Sequence, residues 1–259
     1  MLVSGRLNML ALSLGVMAEL VSAGMYAANS GVKMLDSKGF WKVMADKQPC
    51  LIAFVAPWCG HCQQMVPEYS KAAQSLHPLI PTYAIDCDNE ANKFLCSGQR
   101  VQGFPTLKLY PRGDQLPAKD YAGGDRKANS IVKWASTQLP NQAHKLSSVD
   151  EIKSWAEKNV KSHRVLLLTK EKKVPLLWKV LGNKYKGKLH LGVLKNPDGD
   201  VPEKMGLKEK EVKVVVYPAG TNKPLVYQGD TKLEPLTKFF DSVLDGTADI
   251  LARASKDEL

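Results

Sequence analysis

Short apolar runs of strand length alternate along this chain with stretches whose apolar residues return every three or four positions, which predicts strands separated by amphipathic helices. In the first half the runs at 32–35, 51–55, 82–87 and 107–110 read as strands, with a further one near Tyr121. Asp36 or Ser37 caps a helix presenting Phe40, Trp41 and Met44. A long helix starts at Cys59 and reaches about Leu76, kinked at Pro67, and a short one covers 89–97. Tyr69, Ala72, Ala73 and Leu76 fall at i, i+3, i+4 and i+7 of the long helix and mark its buried face. Residues 111–113, Pro-Arg-Gly, read as a turn, and a last helix with Ile131, Trp134 and Ala135 inward stops before Pro140.

The second half repeats the plan. Helices at 149–160 and 175–185 alternate with strands at 164–169 and 189–194. The segment VKVVVYPAG at 212–220 aligns with PTLKLYPRG at 105–113, so Val212 falls opposite Pro105. Leu236, Phe239, Phe240, Val243 and Leu244 form the inward stripe of a terminal helix. The pattern predicts an α/β protein of two tandem domains, 31–140 and 141–246, followed by a polar tail, 247–259.

The two ends add a compartment. An apolar stretch at 8–18 behind Arg6 is too short to cross a bilayer and leads to Val21-Ser22-Ala23, so 1–23 reads as a cleavable secretory signal, cut after Ala23 or Ala27. Lys256, Asp257, Glu258 and Leu259 spell the KDEL address, read by a retrieval receptor. Together they predict the endoplasmic reticulum lumen, where disulfides can form. No other run is apolar and long enough to span a membrane, and no Asn-x-Ser/Thr acceptor is present. The net charge of +10 divides into +4 over 31–140 and +6 over 141–259. That spread fits a solvated lysine face or one that meets acidic or unfolded polypeptide, and nucleic acid does not fit the lumen.

The chemistry sits where the second strand stops, in LIAFVAPWCGHC at 51–62. A strand feeding a helix at Pro57 puts two cysteines in the first helical turn. Unpaired backbone N–H groups there favour a thiolate, which makes Cys59 the nucleophile, with Gly60 unhindered and His61 adding its cationic form. A zinc site needs about four ligands, usually as two spaced pairs, and there is no second Cys-x-x-Cys, so no metal is expected. Of the other three cysteines, Cys87 and Cys96 are close enough in sequence for a structural bridge, with buried free thiols and a second redox switch as alternatives. Cys50 reads as a buried thiol.

The seven residues APWCGHC, 56–62, resemble the active-site signature of the protein disulfide isomerase family, which has the thioredoxin fold. The whole plan is similar to small two-domain fungal members with one redox-active thioredoxin-like domain followed by an inactive one. The resemblance implies that Cys59 and Cys62 are a catalytic pair cycling between dithiol and disulfide, supported by Trp58, Gly60 and His61. It implies that Phe104 and Pro105 form a cis-proline loop facing that pair, rather than a proline that merely starts a strand, and that Arg126 is the arginine tuning Cys62. It implies no cofactor. Unfolded or disulfide-containing secretory polypeptides, a lumenal thiol oxidase and glutathione are the implied partners. The chain departs from the family at Ala53 and Ala84, where many members carry a buried glutamate and its lysine. The expected function is thiol–disulfide exchange and isomerisation, and the alternative is a lumenal chaperone or docking module whose thiols are secondary.

Overall fold

The computed structural model of the protein describes residues 24–208 and 211–247; the signal segment and the retrieval tetrapeptide lie outside them. The first unit runs β1 (Val32–Leu35), α1 (Ser37–Ala45), β2 (Cys50–Val55), α2 (Gly60–Leu76), β3 (Thr82–Asp86), α3 (Glu90–Gly98), β4 (Thr106–Asp114), β5 (Lys119–Asp120) and α4 (Ala128–Gln138). Its sheet has the order β1-β3-β2-β4-β5, parallel over the first three strands and antiparallel thereafter. All six residues of β2 are buried, because helices cover both faces of this central strand. Alternate residues serve opposite cores. Leu51, Ala53 and Val55 pack with α2 and α4, and Cys50, Ile52 and Phe54 pack with Phe40 and Met44 of α1 and Leu95 of α3.

The second unit runs β6 (His144–Leu146), α5 (Val149–Lys158), β7 (Arg164–Thr169), α6 (Leu176–Lys184), β8 (His190–Lys195), α7 (Val201–Lys204), β9 (Val214–Tyr217), β10 (Leu225–Val226) and α8 (Leu233–Leu244). Its sheet order, β10-β9-β7-β8-β6, is the first sheet element for element, with the same parallel and antiparallel pairings. Two thioredoxin-like α/β domains follow one another. They touch through α6, where Val180 joins the core that holds α2 and α4, Lys179 Nζ donates to Ser136 O at 2.9 Å and Asn183 Nδ2 donates to Pro140 O at 2.8 Å.

The structure adds β6, β10 and the short α7 to the predicted elements. It also corrects the turn expected at 111–113, since β4 continues through these residues to Asp114. Gly113 donates its N–H to Gln48 O at 3.2 Å and adopts φ +52°, and a Cβ there would collide with the Met44 carbonyl. Only glycine lets β4 pass so close to the end of α1.

Candidate active site

Pro57 and Trp58 are exposed immediately after the buried strand β2, and the chain then enters α2 with Cys59 as its N-cap. Cys59 Sγ accepts the N–H of Cys62 at 3.2 Å, the capping bond that serine or aspartate makes elsewhere. Two further bonds fix the loop: Cys59 N–H donates to Ala56 O at 3.1 Å and Gln63 Nε2 donates to Pro57 O at 2.7 Å. Both cysteines are thiols here, and they are seated unequally, with Cys59 8% exposed and Cys62 at 0%.

Burial is the main reason the Cys62 thiol is pushed up to about 12, and the hydrogen bond to Cys59 and the charge of Cys59 act in the same direction. A bond from the Ala56 backbone and the positive charge of Arg126 oppose them. Arg126 is exposed on the segment leading into α4, within electrostatic reach of Cys62. Gly60 and His61 are exposed on the first turn of α2. Trp58, 66% exposed, meets Phe104 edge to face at 5.9 Å between ring centroids. The Phe104–Pro105 peptide is cis and Pro105 is buried, and Phe104 packs against the cluster that holds both cysteines. Cys59, Cys62 and Phe104 thus share one cluster, Trp58 meets Phe104, Gly60 and His61 lie on the same helical turn as the cysteines, Pro105 adjoins Phe104 in sequence, and Arg126 stands in electrostatic reach of Cys62.

Beneath them Ala53 and Ala84 are register partners across β2 and β3, both at 0% exposure, so no buried charge lies at these positions. Cys87 and Cys96 are joined by a disulfide with Cα atoms 5.9 Å apart, tying α3 to the end of β3. Cys50 is a buried free thiol, held in its neutral form by that burial. Among the described residues no group of three or more His, Cys, Asp or Glu could hold a metal ion. Sequence reading missed Tyr26, which is 6% exposed and belongs to the packed cluster containing both Cys59 and Cys62. Its signal was a lone aromatic among small residues where the expected signal segment ends.

Residues 31–137 match the thioredoxin family. A thioredoxin domain-containing protein of Schizosaccharomyces pombe, named as mitochondrial, is 41% identical over 58% of this chain and 42% of its own length. Protein disulfide-isomerase MPD1 of Saccharomyces cerevisiae is 28% identical over 73% of this chain and 65% of its own. The chain therefore spans less than two thirds of either relative. Among solved structures, human ERp44 has a TM-score of 0.42 at 18% identity, over 87% of this chain and 60% of that one. Residues 31–137 form a thioredoxin-family domain, and the chain is similar to protein disulfide isomerases.

Proposed function

We propose that this protein is a thiol–disulfide oxidoreductase and isomerase that forms and rearranges disulfides of secretory polypeptides in the endoplasmic reticulum lumen. The observation that carries this reading is the unequal seating of two sulfurs on one helical turn, Cys59 at the surface end and Cys62 sealed behind it. Cys59 attacks a substrate disulfide and forms a mixed disulfide, releasing the other substrate sulfur; Cys62 then attacks Cys59, releases the substrate thiol and leaves the Cys59–Cys62 disulfide. Run in reverse, the oxidised pair donates its disulfide to a substrate dithiol. Trp58 and Phe104 offer an apolar rim for an extended polypeptide, and Pro105, lacking an N–H, borders the sulfurs without competing for them. Residues 31–140 supply the redox domain, 141–246 an inactive one, and no cofactor takes part. A lumenal thiol oxidase and glutathione set the redox state, and the signal at 1–23 and the KDEL terminus, through its receptor, keep the protein in place.

Refolding of a scrambled disulfide protein in a glutathione buffer tests the activity: the parent should restore native disulfides and Cys62→Ala should accumulate mixed disulfides at Cys59. A parent that neither refolds the substrate nor exchanges with glutathione sinks the proposal. Imaging of the chain with its termini intact tests the compartment, and mitochondrial signal would overturn the lumenal assignment. A second reading, a chaperone or docking module, is favoured by one observation: a cavity of about 690 Å³ in the second unit, lined in part by Leu167, Leu177, Trp178 and Val212. Cys59→Ser with Cys62→Ser separates the two, since a chaperone keeps its function in cells without the thiols.

A further inference from the structure

The buried end of the dithiol holds one group that this mechanism leaves unused. Tyr26 shares a packed cluster with Ala53, Ala84, Cys62 and Tyr69, and its ring centroid lies 5.7 Å from that of Tyr69. The two phenols differ in their partners. Tyr69 Oη donates to Tyr83 O at 2.9 Å, whereas Tyr26 Oη is sealed from solvent with no hydrogen-bond partner among the described residues. A buried hydroxyl left unpaired is costly, and such groups in native proteins call for a reason. Its position suggests one, because Tyr26 and Cys62 belong to the same packed cluster.

We propose that Tyr26 is a third catalytic residue, whose hydroxyl donates a hydrogen bond to the Cys62 sulfur as that sulfur becomes a thiolate. The proposal rests on the reading of Cys62 as the resolving cysteine. In the resting dithiol Cys59 Sγ accepts the backbone N–H of Cys62 at 3.2 Å. Once Cys59 is bonded to a substrate sulfur, the Cys62 S–H bond breaks, its proton passes to solvent water and the electron pair stays on Cys62. That pair forms the Cys59–Cys62 bond while the Cys59–substrate bond breaks; the substrate sulfur leaves with its pair and takes a proton from water. The anion on Cys62 exists only between these events, and a phenol that neither ionises nor has another partner can meet it with a charge-assisted bond. The groups acting on Cys62 are Cys59 at the start of α2, the Ala56 backbone just after β2 and Arg126 from the segment before α4, and Tyr26, from the chain before β1, shares its packed cluster. Ala53 and Ala84 add no charge beneath it. Processing after Ala23 keeps Tyr26, whereas processing after Ala27 removes it.

Tyr26→Phe is the test, because it keeps the ring and removes only the hydroxyl. In a Cys59→Ala background, carbon-13 NMR of Cys62 should show the titration midpoint rise by about one pH unit. In the protein with both cysteines, using glutathione disulfide as the probe, the second release of glutathione should slow about tenfold across pH 6 to 9, with the first step unchanged. Thermal stability should hold or rise, since the lost hydroxyl had no partner. An unmoved midpoint overturns the proposal, whether or not stability falls, and so does a mature chain beginning at Ala28. If the parent does not react with glutathione disulfide, the exchange reading fails, and the NMR titration still decides the role of Tyr26.

Discussion

The N-termini of α2 and α6 occupy the same place in two copies of one plan, and they hold different things. Ala53 and Ala84 are register partners beneath the first, where Leu167 and Val193 are partners in the second. Cys59 caps α2 with its sulfur, whereas Pro175 caps α6 with no side-chain bond. Three residues on, Cys62 in the first unit corresponds to Trp178 in the second, fully buried, its Nε1 donating to Gly192 O at 3.0 Å and its ring edge to face with Phe240 at 6.2 Å. The fold supplies a helix terminus in both cases. Small residues beneath it leave room for thiols and a phenol, and large apolar ones with an indole turn the same place into core. The starts of the central strands diverge as well. Cys50 pairs with Tyr110 at the start of β2; Arg164, paired with Tyr217, starts β7 and donates from its guanidinium to Ala156 O at 3.0 Å and Pro218 O at 2.9 Å.

The largest effect separates the two termini outright. Cys59→Ser should lower thiol exchange by on the order of 10³-fold or more, because a hydroxyl neither forms nor leaves a mixed disulfide at neutral pH. Pro175→Ala should leave exchange as it was. Stopped-flow reaction with glutathione disulfide measures both, and measurable loss in Pro175→Ala would mean that the second terminus takes part. Alkylation of the reduced parent near pH 6 should label Cys59 before Cys62, since Cys62 is sealed and its thiol is pushed up to about 12.

Next in size is the core role of the indole. Trp178→Ala should cost about 3–5 kcal/mol, from lost burial and the cavity left behind. Denaturant unfolding should show the loss in a transition that carries the second unit. A cost below about 1 kcal/mol would mean that the site collapses freely, against the packing observed.

A third contrast lies just past β3 and β8. Cys87 follows β3 and is joined to Cys96 in α3, whereas Asn196 follows β8 and accepts the Val201 N–H at 3.3 Å through Oδ1. A covalent clip and a hydrogen bond therefore hold equivalent corners. Cys87→Ser with Cys96→Ser should cost roughly 2–3 kcal/mol, the range for so short a loop, and Asn196→Ala about 1 kcal/mol. Equilibrium unfolding of both variants ranks them, and equal costs would show that the bridge adds nothing beyond a local contact.

Much of this comparison was legible in the sequence, and the gaps have physical causes. Strand β2 announced itself as a continuous apolar run because both of its faces are covered, and VKVVVYPAG exposed the repeat because β9 is likewise buried throughout. The three-residue β6 has two exposed positions, and β10 has only two residues, so neither carries a period long enough to read. Gly113 suggested a turn because its reason, the Met44 carbonyl, belongs to a helix far away in sequence. Cys59 and Cys62 could be picked out because their spacing is local, whereas Pro105 was singled out through the family resemblance. Tyr26 and the buried Lys108, paired with Asp120 across β4 and β5, owe their meaning to tertiary neighbours.

The smallest expected effect concerns the terminal helices. Neither α4 nor α8 has a side-chain cap of its own, yet α4 receives one from another helix: Glu68 Oε2 of α2 accepts the Ala128 N–H at 2.8 Å. That bond, with help from Lys71, holds the Glu68 carboxyl below its ordinary value of 4.5. The charged form is therefore preferred in the folded state. Its contribution is fully present above the unfolded value and disappears as pH falls through the lower folded value. In α8 the first-turn carboxylate, Glu234, pairs with Lys238 of its own helix and, among the described residues, links no second element. Glu68→Gln should then lower stability slightly at pH 7, with the difference from the parent closing as pH falls below 4.5, while thiol exchange is unaffected. Glu234→Gln should have the weaker effect, since its partner is an exposed i,i+4 lysine. Thermal melts of parent and both variants at pH 7 and pH 3 make the comparison. If the Glu68→Gln difference persists undiminished at low pH, the carboxylate charge is not what ties α4 to α2, and the neutral hydrogen bond alone accounts for the cap.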